Sequence, residues 1–210
     1  MNKILFDFDG VLVDTEPIYD IFWNEAGQRH AVGINNFAQV IKGTTLPDII
    51  ATHFNNRTEE EKQTIIREST AYEKTMPLPP MPGSMEFLKM LKRHNVTIGL
   101  VTSSDTEKIE RAIALYQLDD IFSTIVTSDR ITKGKPDPMC YLLAASDLNV
   151  SPAECLVFED SFAGIEAATK AGMRVIALST TNPAQSLQDK AYKVIPDFKG
   201  ITFEQFLQWQ

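Results

Sequence analysis

Residues Ile4-Leu5-Phe6 and Phe8 form a short apolar run, with the carboxylates Asp7 and Asp9 at and just after its end and Gly10 next. An apolar run of this length reads as a buried strand, and Gly10 permits a sharp turn after it. Two carboxylates beside a buried strand cost several kcal/mol unless something compensates, about the penalty for unpaired buried ions. A divalent cation with oxygen ligands is the natural compensator. On these residues alone two readings stand side by side. One is a catalytic pair with a metal; the other is a strand end followed by two solvated aspartates in a turn.

The rest of the chain decides what such a strand belongs to. Val11-Leu12-Val13 leads to Asp14-Thr15-Glu16-Pro17, where Thr15 or Asp14 can cap a helix over residues 16–30. Residues 35–74 are polar and helix-forming, with short helices expected over 37–41, 47–54 and 58–75 and no strand alternation. Pro77, Pro79, Pro80 and Pro82 then exclude a helix or a central strand and make a stiff, extended connector. Beyond Gly83 the rhythm changes. Helices are expected over 84–94, 104–116, 138–148 and 161–171, strands over 96–101, 124–127, 154–158 and 173–178, and a short closing helix in the tail, 201–210. Strands alternating with helices imply a parallel sheet covered on both faces. The expected fold is an α/β, Rossmann-like parallel-sheet core with an inserted helical segment: 1–14 and 83–210 for the core, 15–82 for the insertion with its hinge.

Ligands of such sheets bind at the carboxyl ends of the strands, and three further strand ends carry chemistry. Thr102-Ser103-Ser104-Asp105 opens a helix and can hold an anion or merely cap it. Lys135 is stiffened by Pro136 and Pro138, whereas Lys133 reads as a solvated lysine. Glu159-Asp160-Ser161 forms a second acidic pair before a helix whose Ala163-Gly164 lets it approach the sheet closely. Carboxylates converging from two strand ends need a metal or shifted pKa values.

These motifs, Asp7-Phe8-Asp9-Gly10-Val11-Leu12-Val13-Asp14-Thr15-Glu16, Thr102, Lys135-Pro136 and Glu159-Asp160-Ser161 with Ala163-Gly164-Ile165, resemble the haloacid dehalogenase-like (HAD) superfamily in order and placement. The helical insertion looks like the small cap of its β-phosphoglucomutase and sugar-phosphatase branch. The resemblance implies that Asp7 attacks phosphorus to form an aspartyl phosphate and that Asp9 serves as acid and then base. It implies that Thr102 and Lys135 hold the phosphoryl group, and that Mg²⁺ is held by Asp7, the Asp9 carbonyl and Asp160, with Glu159 direct or through water. Gly10, Thr15, Ser103, Trp23, Lys42 and Gly43 are the further substrate- or phosphate-binding candidates; Trp23 and Lys42 have the plainer readings of helical core and solvated lysine.

Asp9 favours phosphatase or phosphomutase chemistry over dehalogenation. The mutases carry a His where this chain has Tyr19 and an Arg where it has Leu46. Their absence weakens the hold on a second phosphate. The reading taken is a phosphatase of small sugar or polyol monophosphates, with a β-phosphoglucomutase-type mutase and a non-catalytic phosphate-binding regulator as alternatives. His30, His53 and His94 receive no role, and Tyr116 and Tyr141 read as core.

The net charge of −8 over 210 residues argues against nucleic acid or an anionic membrane as partner. The partner expected is a small phosphorylated metabolite, bound by a monomer or weak oligomer. Two cysteines without metal-ligand spacing, no signal peptide and no spanning apolar run point to a reducing, cytoplasmic location.

Overall fold

The computed structural model describes residues 3–209. Met1 and Asn2 of the expected core and Gln210 of the expected tail helix lie outside the described residues. The chain opens with strand β1 (Lys3–Phe6) and continues through helices α1 (Glu16–Arg29), α2 (Phe37–Ile41), α3 (Leu46–His53) and α4 (Glu59–Thr75). Then follow α5 (Ser84–Arg93), β2 (Thr97–Val101), α6 (Thr106–Tyr116), β3 (Phe122–Val126) and α7 (Met139–Asp147). The last part is β4 (Cys155–Glu159), α8 (Phe162–Lys170), β5 (Arg174–Leu178), α9 (Ala184–Leu187), β6 (Lys193–Ile195) and α10 (Phe203–Leu207).

All strands are parallel and run in the order β3-β2-β1-β4-β5-β6. β1 is central. Phe6 pairs with Leu100 on one side and Phe158 on the other. The strand order reverses between β1 and β4, so the crevice at their carboxyl ends is the expected ligand position for this topology. Alternate residues of β1 face opposite covers: Ile4 and Phe6 join the cluster containing Leu88 and Phe198, while Leu5 joins the one with Tyr141 and Ala168. Phe6 stacks on Phe158 at 4.9 Å, and Phe87 stacks on Phe198 at 4.9 Å. Helices α1–α4 bury a third cluster of their own, including Phe22, Trp23, Phe37, Phe54 and Ile65. The start of α4 is locally encoded: the Thr58 hydroxyl receives the Glu61 amide, and the Glu61 carboxylate receives the Thr58 amide.

The chain passes from sheet to helices and back through two segments that lie side by side. Asp14 N–H donates to Pro79 O at 2.8 Å, Met81 N–H donates to Leu12 O at 2.9 Å, and Val13 bridges Pro80 in antiparallel sense. Prolines fit here because the bonds they cannot donate are not required.

Several expectations need correction. Neither Asp14 nor Thr15 caps α1 with its side chain; the Thr15 hydroxyl turns inward instead. α6 begins at Thr106 rather than at Ser104, because Asp105 is its N-cap and accepts from Lys108 N–H. β6 is not legible in the sequence: it is three residues long, its Lys193 is exposed, and only pairing with β5 makes it a strand. Gly172 does end α8 at the expected place, with a positive φ and 6→1 and 5→2 bonds from Met173 N–H to Ala168 O and from Gly172 N–H to Thr169 O.

Gly83 and Gly172 separate two reasons for glycine. Both have positive φ, but a Cβ on Gly83 would lie 2.5 Å from the Phe198 carbonyl carbon, whereas Gly172 has open space. Gly172→Ala is expected to cost about 1–2 kcal/mol, the price of a left-handed L-residue. Gly83→Ala should cost clearly more, as measured by urea unfolding of both variants.

Candidate active site

The strand ends bring Asp7, Thr102, Lys135, Glu159 and Asp160 to one crevice. Asp7 follows β1 directly, and its N–H still donates to Phe158 O of β4 at 3.0 Å. The loop after β3 carries Lys135 into the crevice, where the residue is 3% exposed. Lys135 Nζ donates to Asp7 Oδ1 at 2.7 Å and to Glu159 Oε1 at 2.6 Å. Burial alone would lower the Lys135 pKa, but the two carboxylates outweigh it and hold the ammonium well above its usual range.

Glu159 organises its own loop. Tyr141 OH donates to Oε1 at 3.0 Å, while Asp160 N–H, Ser161 N–H and the Ser161 hydroxyl donate to Oε2 at 2.9, 3.1 and 3.1 Å. Gly164 makes room for it, since a Cβ there would overlap Glu159 Oε1 at 1.6 Å. Tyr141 is therefore core in its burial and also a donor to the acidic cluster. Asp160 Oδ2 accepts from the Thr181 hydroxyl, and Asn182 Nδ2 donates to the Asp160 carbonyl at 3.0 Å. Gly10 has positive φ, and a Cβ on it would lie 2.1 Å from Asp160 Oδ2.

Asp7, Glu159 and Asp160 each offer an oxygen within 4.8 Å of the others. Burial, and then the neighbouring carboxylates, push Asp7 up to about 8 against the pull of Lys135, and push Asp160 well above the usual range. Three buried carboxylates facing one ammonium leave negative charge over. Among the described residues no protein donor reaches Asp7 Oδ2 or Asp160 Oδ1. That donor set fits a divalent cation with oxygen ligands. Glu159 fits it least directly, because both of its oxygens are already engaged.

The Asp9 side chain does not converge with the other three carboxylates. Its Oδ1 accepts from the Thr15 hydroxyl and from Lys108 Nζ at 2.6 Å, and its Oδ2 from Ser104 Oγ at 2.7 Å. Burial would raise its pKa, but Lys108 and these donors bring it below the usual value. Thr102 is 1% exposed and its Oγ1 accepts from Ser104 N–H at 3.0 Å.

The helices close over this crevice and leave a cavity of about 280 Å³, lined by Asp7, Asp9, Thr102 and Asp160 below and by Trp23, Lys42 and Gly43 among others above. Ser103 Oγ donates to Gly43 O at 2.9 Å, and a Cβ on Gly43 would lie 2.5 Å from Ser161 Oγ. Lys42 is not a solvated lysine: its Nζ meets Glu16 at 2.5 Å and Asp20 at 2.7 Å. Trp23 belongs to the helical core and also reaches the cavity wall. The histidines stay outside the cavity lining: His30 meets Glu68 at 3.2 Å, and His94 stacks on Phe203 at 3.7 Å.

Sequence reasoning gave Ser104 an anion-holding or capping place rather than its contact with Asp9, and passed over Lys108, Thr181 and Asn182. Thr181 and Asn182 follow the end of β5, where polar residues after an apolar strand are a usable signal. Lys108 gave another one: a basic side chain in the first turn of a helix, where the macrodipole disfavours it.

Fold and site together place the chain among Rossmann-like α/β hydrolases. Residues 4–178 match the family model described as haloacid dehalogenase-like hydrolase, and the chain belongs to that family. It is 33% identical over 197 residues to validoxylamine A 7'-phosphate phosphatase of Streptomyces hygroscopicus subsp. limoneus, covering 90% of this chain and 91% of that protein. It is 33% identical over 196 residues to β-phosphoglucomutase of Bacillus subtilis, covering 87% and 85%. Its fold matches the solved structure of a putative β-phosphoglucomutase from Bacteroides vulgatus, with TM-score 0.83, 28% identity and coverage of 100% of this chain and 88% of that one.

Removing Lys135 leaves Asp7 and Glu159 without their buried counter-charge. Lys135→Met is expected to cost about 3–5 kcal/mol in metal-free buffer, the usual penalty for breaking a buried ion pair. Urea unfolding at neutral pH checks this, and added divalent cation should recover part of the loss.

Proposed function

We propose that the protein is a Mg²⁺-dependent phosphatase of small phosphorylated metabolites, sugar or polyol monophosphates, working through an aspartyl phosphate on Asp7. The observation that carries this is Lys135 bridging Asp7 Oδ1 and Glu159 while Asp7 lines the cavity. Lys135 anchors one oxygen of Asp7, and no protein donor among the described residues reaches the other.

Asp7 attacks phosphorus, a bond forms from its carboxylate oxygen, and the bond to the sugar oxygen breaks. Asp9, which must enter this step protonated, hands that proton to the leaving oxygen. In the second half Asp9 takes a proton from the water that attacks the phosphoenzyme, releasing phosphate and restoring Asp7. Thr102 and Lys135 hold the transferring group, chiefly by electrostatics. Asp7, Asp160 and the Asp9 carbonyl would hold Mg²⁺, with Glu159 orienting that loop; when bound, the ion supplies positive charge that eases the approach of one anion to another. Ser103 sets the Gly43 loop over the crevice.

Residues 15–82 are proposed as a cap domain and 1–14 with 83–210 as the core, the two junctions Asp14–Glu16 and Met76–Gly83 acting as hinges. Such closure would exclude water during phosphoryl transfer. The phosphatase relative supports the reaction class, and the committed Lys42 supports hydrolysis over a mutase. A mutase must grip a second phosphate, and this ammonium is already shared by Glu16 and Asp20.

Hydrolysis of p-nitrophenyl phosphate should require Mg²⁺, disappear with EDTA, and fall to background in Asp7→Asn. Activity surviving that substitution would remove Asp7 from its role. With β-glucose 1-phosphate and a bisphosphate primer, free phosphate is expected; glucose 6-phosphate without phosphate would make the protein a mutase. Mg²⁺ at a hundredfold excess over its dissociation constant should stabilise the fold by about 2.7 kcal/mol. Differential scanning calorimetry would read this as a higher Tm, absent in Asp160→Asn.

A further inference from the structure

Lys108 lies where a lysine is least favoured. It sits in the first turn of α6, at the positive end of the helix dipole, and is only 3% exposed. Its surroundings show what compensates. Nζ donates to Asp9 Oδ1 at 2.6 Å, to Tyr19 OH at 2.8 Å and to Ser104 Oγ at 3.0 Å, so all three N–H bonds are used. The ammonium also lies 5.5 Å from the centre of the Phe8 ring and 4.7 Å from that of Tyr19. Tyr19 in turn donates to Glu73 Oε1 at 2.6 Å. A continuous chain of contacts therefore runs from α4 through α1 and α6 to the carboxylate after β1. Lys108 is absent from the cavity lining, whereas Asp9, Tyr19 and Glu73 are part of it.

We propose that Lys108 is a positioning residue for proton transfer by Asp9, fixing that carboxylate from behind while Tyr19 and Glu73 fix Lys108 from the helical side. The inference rests on the reading of Asp9 as acid and base. Thr15 and Ser104 also hold Asp9, but each is a neutral donor with a single hydrogen. Lys108 is the charged partner, and its ammonium is also held by the Tyr19 hydroxyl of α1. When Asp9 gives its proton to the leaving oxygen, the carboxylate that remains faces an ammonium already in place. The same contact keeps that carboxylate oriented for the attacking water.

Leaving-group dependence tests this, because a merely structural role would not alter it. The ratio kcat/KM reports steps up to phosphoryl transfer. An alkyl phosphate needs a proton on its leaving oxygen; an aryl phosphate with a stabilised leaving group does not. Lys108→Met should lower kcat/KM for a hexose 6-phosphate by about 10²-fold, the low end for general acid–base catalysis. Its loss with p-nitrophenyl phosphate should be at least tenfold smaller. Asp9→Asn should show the same skew, and the double variant should be no worse than Asp9→Asn, since the two residues act as one unit. Equal losses on both substrates in Lys108→Met, or no loss on either, would overturn the proposal while leaving Asp9 in its role. No skew in Asp9→Asn would remove the proton-transfer reading and this inference with it. If Lys108→Met does not fold, Tyr19→Phe decides: it keeps the ring and drops the hydroxyl. The same skew is expected there in smaller degree, and an even loss on both substrates overturns the proposal.

Discussion

The ammonium of Lys135, held between Asp7 and Glu159, is the interaction on which the rest of the site depends. Without a cation there, two carboxylates from adjacent strands would face each other in a buried crevice. With it, one oxygen of Asp7 is anchored, Glu159 is fixed on its loop, and Asp160 is brought beside them. The cost of burying these charges is met by placing strands β1 and β4 side by side at the sheet's centre, so that Asp7 and Glu159 share one counter-ion, while the backbone donors of Asp160 and Ser161 satisfy Glu159. Burial first, and then the neighbouring carboxylates, push Asp7 and Asp160 toward their neutral forms, and the negative charge left over suits a further cation.

A second electrostatic unit sits a few residues away and is kept distinct. Asp9 is two residues from Asp7, yet its carboxylate turns to Lys108, Thr15 and Ser104. Neighbouring carboxylates with separate cations can be poised for different work, one ionised and the other burdened by its neighbours. The separation is reached through the turn at Gly10, which lets the chain double back so that Val13 O accepts from Gly10 N–H.

Much of this was legible from short-range pattern. The strand-end acids, the lysine stiffened by prolines, the glycines beside Glu159 and after α8, and most helix bounds follow from local propensity and spacing. Other features were hidden because they depend on partners far along the chain. Thr15 looked like a helix cap, and became a donor to Asp9 because α1 can start on backbone bonds alone. Lys42 read as a candidate substrate contact or a solvated lysine, and Glu16 and Asp20 of α1 close on it instead. Tyr141 looked like core, and is also a donor to Glu159. Lys193–Ile195 is a strand only because β5 offers an unpaired edge.

The amino-acid sequence alone determined the alternating strands and helices, the helical insertion behind its proline connector, and which residue types stand at the strand ends. Those are set by local backbone preference and by the burial of apolar runs. Only the tertiary structure decided which ammonium meets which carboxylate: Lys135 with Asp7 and Glu159, Lys108 with Asp9, Lys42 with Glu16 and Asp20. An ion pair has no sequence period, and its partners are chosen by how strands and helices pack across tens of residues.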